Sequence, residues 1–332
     1  MDESSLDFKV LPAEESHAEE LAKLYIEGYG GKYPLEEFTN PDLVRRAIRE
    51  RRYCWMVGMH SGRIIASSAG IDAGWNNSFE HGRAIVYPPE FRRNHVIQAL
   101  ISTVVSVCLN QGHDIGWFGM RDGKGIGFSE KNDMGLVGFL PGMHKVKARE
   151  THLMYVVREG AYRTKRATND CVSERYGACV KYVEDVLGLR RFGLCPPSEE
   201  YPPDVVVGGC DSSVAGYPGF KVWYELEKID NAVCIGRIET AGGRLDALVD
   251  ILGQEPFSAA DYVQLDVLAD KFDAHDLLKS LGFEICAFIP AWFLKGSKRY
   301  DCMRFVKHSQ SESLGEEVES KVALLRTVYA PL

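Results

Sequence analysis

The sequence predicts an α/β (α+β) fold: a mixed, mainly antiparallel sheet flanked by helices, with a second, smaller domain built as a truncated version of the first. Three observations predict it. Over residues 7–158 the hydrophobic period switches between 3.6 and 2 in the order α-α-β-β-β-α-β-α-β-β. A polar, basic stretch then intervenes, and strand–helix alternation returns from about residue 218. The 332 residues are enough for two domains.

Ser16 and Glu19 have capping-box spacing, and Leu21, Leu24, Tyr25 and Gly28 continue it as an apolar helical face that ends at Gly30-Gly31. Asn40 followed by Pro41 starts a second helix, with Leu43, Val44, Ala47 and Ile48 on its buried side. The period then falls to two. Residues 53–59 and 63–70 form strands joined by a His-Ser-Gly turn, and 79–86 forms a third, stopped by Pro88-Pro89. Ile97, Leu100, Ile101, Val104, Val105 and Cys108 line a helix that closes at Gly112, and 114–120 is a short buried strand. A glycine-rich, weakly helical stretch leads through VGFLPGM to a closing strand at 151–157.

Residues 159–217 read as a linker carrying one helix, at 173–188. The smaller domain spans 218–308, with strands in FKVWYEL, AVCIGRIE and DYVQLDVLA, a helix at GRLDALVDILG and another at FDAHDLLKSLG, and final strands in FEICAFIPAWF and YDCMRFVK. Asp266 and Asp301 lie in strands beside Arg299 and Arg304, which suggests ion pairs between strands. Residues 309–332 form an acidic, Ser-rich tail with helical character. The two halves share an ending, VGFLPG in the first and LGFEICAFIPA in the second, where a duplication would place it.

A net charge of −8 argues against an extended nucleic-acid groove, which needs Lys and Arg to neutralise phosphates. Nine cysteines, scattered without a CxxC, read as reduced thiols in a cytoplasmic protein, with no metal site assigned. No leader-like stretch opens MDESSLDFKV, and no apolar run is long enough to span a membrane.

The stretch VYPPEFRRNHVIQALI (86–101) is the most informative. A β-branched strand stops at two prolines, Arg92 and Arg93 occupy the turn, Asn94 is placed to cap the next helix, and His95, Val96 and Ile97 open it. Taken alone this is a capped helix start with two solvated arginines. The flanking topology points instead to an anion site, because a helix N-terminus presents unpaired N–H groups and a positive dipole end.

Together with the VGFLPG strand and EGYGGKYPLEEFTNPDLV, these residues resemble the GCN5-related N-acetyltransferase (GNAT) superfamily, in a tandem form with a degenerate second copy. The resemblance covers residues 7–158, with 218–308 as a shortened repeat. It implies an acyl-CoA-binding domain in which Val86, Tyr87 and Arg92–Ile97 receive the donor, acetyl-CoA or another acyl-CoA. The family's turn reads Arg/Gln-x-x-Gly-x-Gly/Ala, and here His95 and Ile97 replace the small residues. The implied reaction is direct attack of a small-molecule amine on the thioester, with an oxyanion held by a backbone N–H near Val86 or Tyr87.

Glu80 and His81, on the strand entering the turn, are the candidate bases. The family's usual tyrosine acid has no counterpart between Asp122 and Phe139; Met134 stands near its place. His144 and Lys145 could meet an acidic substrate but read first as a solvated loop. Two alternatives remain open: a Fem-type transferase using aminoacyl-tRNA, which Arg92-Arg93 suits and the net charge opposes, and a non-catalytic GNAT-derived binding module.

Overall fold

The computed structural model describes residues 7–93, 95–121, 123–145, 149–189, 198–228, 230–240, 247–309 and 315–329. The chain divides into two compact units, residues 1–73 with 77–118, and residues 74–76 with 119–332.

The first unit contains β1 (Lys9–Pro12), α1 (Ala18–Gly28), α2 (Pro41–Arg49), β2 (Tyr53–His60), β3 (Arg63–Asp72), β4 (Ser78–Val86), α3 (Val96–Asn110) and the start of β5 (Ile115–Met120). Its strands lie in the order β1-β2-β3-β4-β5, antiparallel until β4 meets β5 in parallel. Successive β2 residues face opposite ways. Trp55 and Val57 pack with Leu21, Tyr25, Phe38 and Val44 beneath α1 and α2, whereas Met56 packs with Val96, Leu100 and Val104 of α3. α2 starts as expected, with the Asn40 side chain accepting from the Asp42 N–H at 3.0 Å and Pro41 in the first position, where a missing N–H costs nothing. α1 begins differently. Ser16 lies inside a 3₁₀ turn, Glu15–His17, and the Glu14 N–H donates to His17 Nδ1 at 3.0 Å, so Ser16 and Glu19 do not form the box.

The second unit holds α4 (Gly123–Lys131), β6 (Met134–Lys145), β7 (Arg149–Val157), α5 (Tyr162–Lys165), β8 (Arg166–Ala167), α6 (Asp170–Val186), β9 (Ser213–Tyr217), β10 (Phe220–Glu227), β11 (Ala232–Thr240), α7 (Ala247–Leu252), β12 (Tyr262–Leu268), α8 (Phe272–Ser280), β13 (Glu284–Lys295), β14 (Lys298–His308) and α9 (Glu316–Tyr329). Its strand order is β7-β6-β13-β14-β12-β11-β10-β9, with β8 paired to β14. From Gly119 onward the chain belongs to the second unit, where β6 pairs with β13 at Gly138–Ala287 and the α9 residue Tyr329 donates its hydroxyl to the Val137 carbonyl. The Gly-Gly-Arg-Leu-Asp start expected for the helix at 242–252 lies outside the described residues as far as Asp246.

The basic stretch 159–172 is structural rather than a spacer. Tyr162 and Arg166 are buried there, and Arg166 forms a two-pronged pair with Asp301 (2.8 Å at both oxygens) and a third bond to Glu184 (2.9 Å). Asp301 therefore pairs with Arg166, not Arg299, whose guanidinium binds the carbonyls of Ala291 and Asn76. Asp266 does pair with Arg304, at 2.7 and 2.8 Å, and also accepts from Trp292 Nε1. Each of these charges is buried with its partners in place, the condition under which such groups are tolerated.

The chain order repeats. β2-β3-β4-β5 in the first unit and β9-β10-β11-β12 in the second both run antiparallel, antiparallel, then parallel, and a helix (α3, α7) crosses over before the parallel strand. Both contain a bulge one pair before the parallel step, at Ser67/Ala69 opposite Arg83–Ala84 and at Trp223/Tyr224 opposite Gly236.

Candidate functional site

The site in the first unit is the edge of β4 that faces β5. β4 pairs with β5 only at Ser78–His81, against Ile115–Phe118, and then runs on to Val86 with no strand partner on that side among the described residues. A bulge produces this divergence. Ser68 stands opposite both Arg83 and Ala84, and Arg83 takes φ +57°, which turns the strand away from its neighbour. Beneath the bulge, Trp55 Nε1 donates to Ser67 Oγ (2.7 Å), Tyr25 Oη lies 3.3 Å from the same oxygen, and the Tyr25 hydroxyl donates to the Arg83 carbonyl. This buried network holds the divergence rigidly.

Alternation fixes which main-chain groups face the open edge. The Tyr87 N–H donates to the Ile65 carbonyl of β3 at 2.9 Å, so Tyr87 has no amide left for a ligand. One residue earlier, the N–H and carbonyl of Val86 point the other way. Arg92 agrees with this: its Nε donates to the Val86 carbonyl at 3.2 Å, which leaves the Val86 N–H as the donor at that edge.

The turn that follows keeps a glycine's conformation without a glycine. His95 is the N-cap of α3 at φ +55°, ψ +10°, at the first position where the family pattern has Gly. His and Asn are among the non-glycine residues that enter this region with modest strain. Its ring is exposed, with Nδ1 3.2 Å from Oε1 of Gln98 in the first turn of α3. Ile97 packs against the cluster of Val96, Leu100 and Val104. The N–H groups of the first turn have no partners within the helix. Asn94 and the Arg93 side chain lie outside the described residues, as do the side chains of His144 and Lys145. The described cap of α3 is His95, and it makes no side-chain cap bond.

Glu80 and His81 point to opposite faces of β4. His81 is buried, stacked on Phe118 with ring centroids 4.6 Å apart, and its Nε2 meets Ser68 Oγ at 2.5 Å. Burial pushes its pKa down to about 3, so the imidazole is neutral and too weak a base to take a proton from an ammonium. Glu80 is half-buried, and its Oε1 lies 3.7 Å from where a Cβ on Gly82 would stand, near the point of divergence.

Sequence reasoning missed the counterpart of this edge in the second unit. β11 pairs with β12 over four residues only, Ala232–Ile235, and continues to Thr240. There the gap is filled by the chain itself. Val206 bridges Val267 and Val207 bridges Arg237, both antiparallel, while the Leu268 N–H donates to the Val205 carbonyl at 3.0 Å. Val206 and Val207 are buried, and Gly236 allows the approach, since a Cβ there would stand 2.5 Å from the Cys210 carbonyl oxygen. Asp204 and three valines between Pro-Pro and Gly-Gly give little periodic signal, though their Gly-Gly successor marks a close backbone passage.

No family model and no curated protein matches the sequence. Solved structures do resemble it over part of its length. The ribosomal-protein-S18-alanine N-acetyltransferase from Escherichia coli shares 13% identity at a TM-score of 0.37, covering 46% of this chain and 93% of its own. A putative acetyltransferase from Salmonella typhimurium, solved with acetyl-CoA, shares 12% at 0.40, covering 45% and 92%. The PaiA N-acetyltransferase of Thermoplasma acidophilum, in complex with coenzyme A, shares 13% at 0.34, covering 45% and 98%. At these scores the likeness carries no weight beyond itself, and the residues of this chain support the function proposed next.

Proposed function

We propose that the first unit carries the donor site of an N-acyltransferase, with acetyl-CoA or another acyl-CoA lying along the free edge of β4. One observation carries this reading: the same divergence occurs twice in the chain, and the copy in the second unit has its edge satisfied by Val205–Val207 while the copy at Gly82–Val86 does not. Unpaired main-chain donors in a cleft call for an extended ligand with its own amides, and a pantetheine arm has two. The diphosphate then falls at the first turn of α3, where backbone N–H groups and the helix dipole favour negative charge. Arg92 and Arg93 add local positive charge in an otherwise acidic protein.

The chemistry follows from this placement. A neutral amine attacks the thioester carbonyl, the C–N bond forms, and the carbonyl oxygen gains charge that the Val86 N–H stabilises. Collapse breaks the C–S bond, and the thiolate takes a proton from water. Glu80, six residues from Val86 along β4, receives the proton released by the amine through intervening water. The acceptor is a small-molecule amine, and the donor domain extends over residues 7–158. No described helix is long and apolar enough to cross a membrane, and cytoplasmic placement belongs to the same proposal.

Calorimetric titration with acetyl-CoA tests the reading. Saturable binding, with a rise in Tm as ligand is added, supports it. No binding of acetyl-, propionyl- or succinyl-CoA contradicts it.

A further inference from the structure

Arg83 sits at the crest of the β4 bulge with φ +57°, its carbonyl fixed by the Tyr25 hydroxyl. The residue is half-buried, its Nε is buried, and that Nε has no hydrogen-bond partner. No carboxylate pairs with Arg83 among the described residues; its guanidinium carbon instead lies 6.0 Å from the centre of the Phe38 ring. Four other arginines of the same unit are engaged. Arg45 binds Glu19 and Asp42, Arg49 binds Glu15, Arg52 binds Glu37 and Glu50, and Arg92 binds the Val86 carbonyl. The acidic group closest in sequence to Phe38 is also taken, since Glu37 accepts from Tyr53 Oη at 2.6 Å and from Arg52 at 3.0 Å.

A buried guanidinium N–H without an acceptor is costly, and a left-handed backbone at a non-glycine residue adds strain. The chain maintains both at one residue, three positions from Glu80 and three from Val86. Phe38 is buried, and the partly buried Tyr33 and Tyr53 pack against it with ring centroids 5.9 and 5.5 Å away. A planar fork beside aromatic rings suits a carboxylate attached to an organic body.

We infer that Arg83 is a specificity-determining residue that binds a carboxylate on the acceptor, so that the amine acylated here belongs to the amino-acid class rather than to simple polyamines. This rests on the proposed acyl transfer for its purpose but not for its measurement. Strand spacing of about 3.3 Å per residue puts Arg83 roughly 10 Å from both Glu80 and Val86 along the strand. Glu80 and Val86 lie on opposite sides of Arg83 along β4, so a small amino acid with its carboxylate on Arg83 has its amine toward the thioester at Val86, and the proton reaches Glu80 through water.

The test compares matched pairs, lysine with cadaverine and tyrosine with tyramine, by calorimetric binding to the full chain, with acetyl-CoA binding measured separately. At least one amino acid binds wild type about tenfold or more tightly than its decarboxylated partner. Arg83→Gln removes that preference by weakening the amino acid alone, Arg83→Lys restores part of it, and acetyl-CoA binds all three proteins alike. The inference is overturned if wild type binds none of the amino acids, if it prefers the decarboxylated amines, or if Arg83→Gln keeps the preference. Arg83 forms no ion pair among the described residues, so Arg83→Gln should fold; should its Tm drop sharply, Arg83→Lys decides, and full affinity for tyramine with unchanged affinity for tyrosine overturns the inference. Failure of acyl transfer would appear separately, as wild type that does not bind acetyl-CoA.

Discussion

The backbone N–H of Val207 donates to the carbonyl of Asp266 at 2.9 Å, placing a segment from outside the strand repeat against β12. With the bridge from Val207 to Arg237, that bond closes the divergence between β11 and β12. An extended ligand would have to displace a hydrogen-bonded, buried strand there. The chain should therefore bind one acyl-CoA and not two, and the stoichiometry in a titration reads this directly.

His95 holds the left-handed cap of α3 at a modest strain. His95→Gly should leave Tm unchanged or raised, and should tighten acetyl-CoA binding by opening the first turn. His95→Val should lower stability by about 1–2 kcal/mol, because a β-branched residue is disfavoured in that conformation. Thermal melts of both variants, with and without acetyl-CoA, check this.

Glu80 and His81 separate in their effects on rate. Glu80→Gln should reduce kcat about 10²-fold or more, the usual worth of a positioned base. His81→Asn should act mainly on stability, since the buried ring meets Ser68 and Phe118. Steady-state kinetics beside thermal melts distinguish the two.

Acid should weaken the fold through two histidines. Burial pushes the pKa of both His81 and His275 down to about 3, against an ordinary value near 6.5. Between those values the unfolded chain binds more protons, so stability is fully present above about pH 6.5 and is lost as pH falls toward 3. Each ring contributes a slope of up to about 1.4 kcal/mol per pH unit in that window. Urea midpoints from pH 7 to pH 5 should fall, and His81→Asn or His275→Asn should each flatten the decline.

Removing one partner of a buried pair leaves the other charge stranded. Asp301→Ala should cost about 3–5 kcal/mol, because Arg166 and the Ala291 N–H lose their acceptor together. Urea unfolding followed by tryptophan fluorescence measures it.

The elements were legible where the pattern was local. Asn40-Pro41 marks the start of α2, and the runs at 53–59 and 63–70 fall in two strands that are buried on both faces at their centres. Proximity across long sequence gaps was not legible. Arg166 looks like a solvated linker residue until Asp301, far along the chain, is brought beside it. Val206 and Val207 look like loop until β11 and β12 diverge around them. At the site, the residue types around Val86 single out the stretch of chain on which the proposed donor site rests. Hydrogen-bond alternation decided between Val86 and Tyr87, and burial distinguished His81 from Glu80. Arg83 carried no sequence signal, since an unpaired guanidinium is recognised only by the absence of neighbouring acids in space.

Residue-resolved amide hydrogen exchange with and without acetyl-CoA tests the donor site most directly. Slowed exchange at Val86 and at Val96–Gln98, with Val207 unchanged, is the predicted result. Unchanged exchange along that edge, or faster exchange at Val207 as ligand enters the second unit, would contradict it.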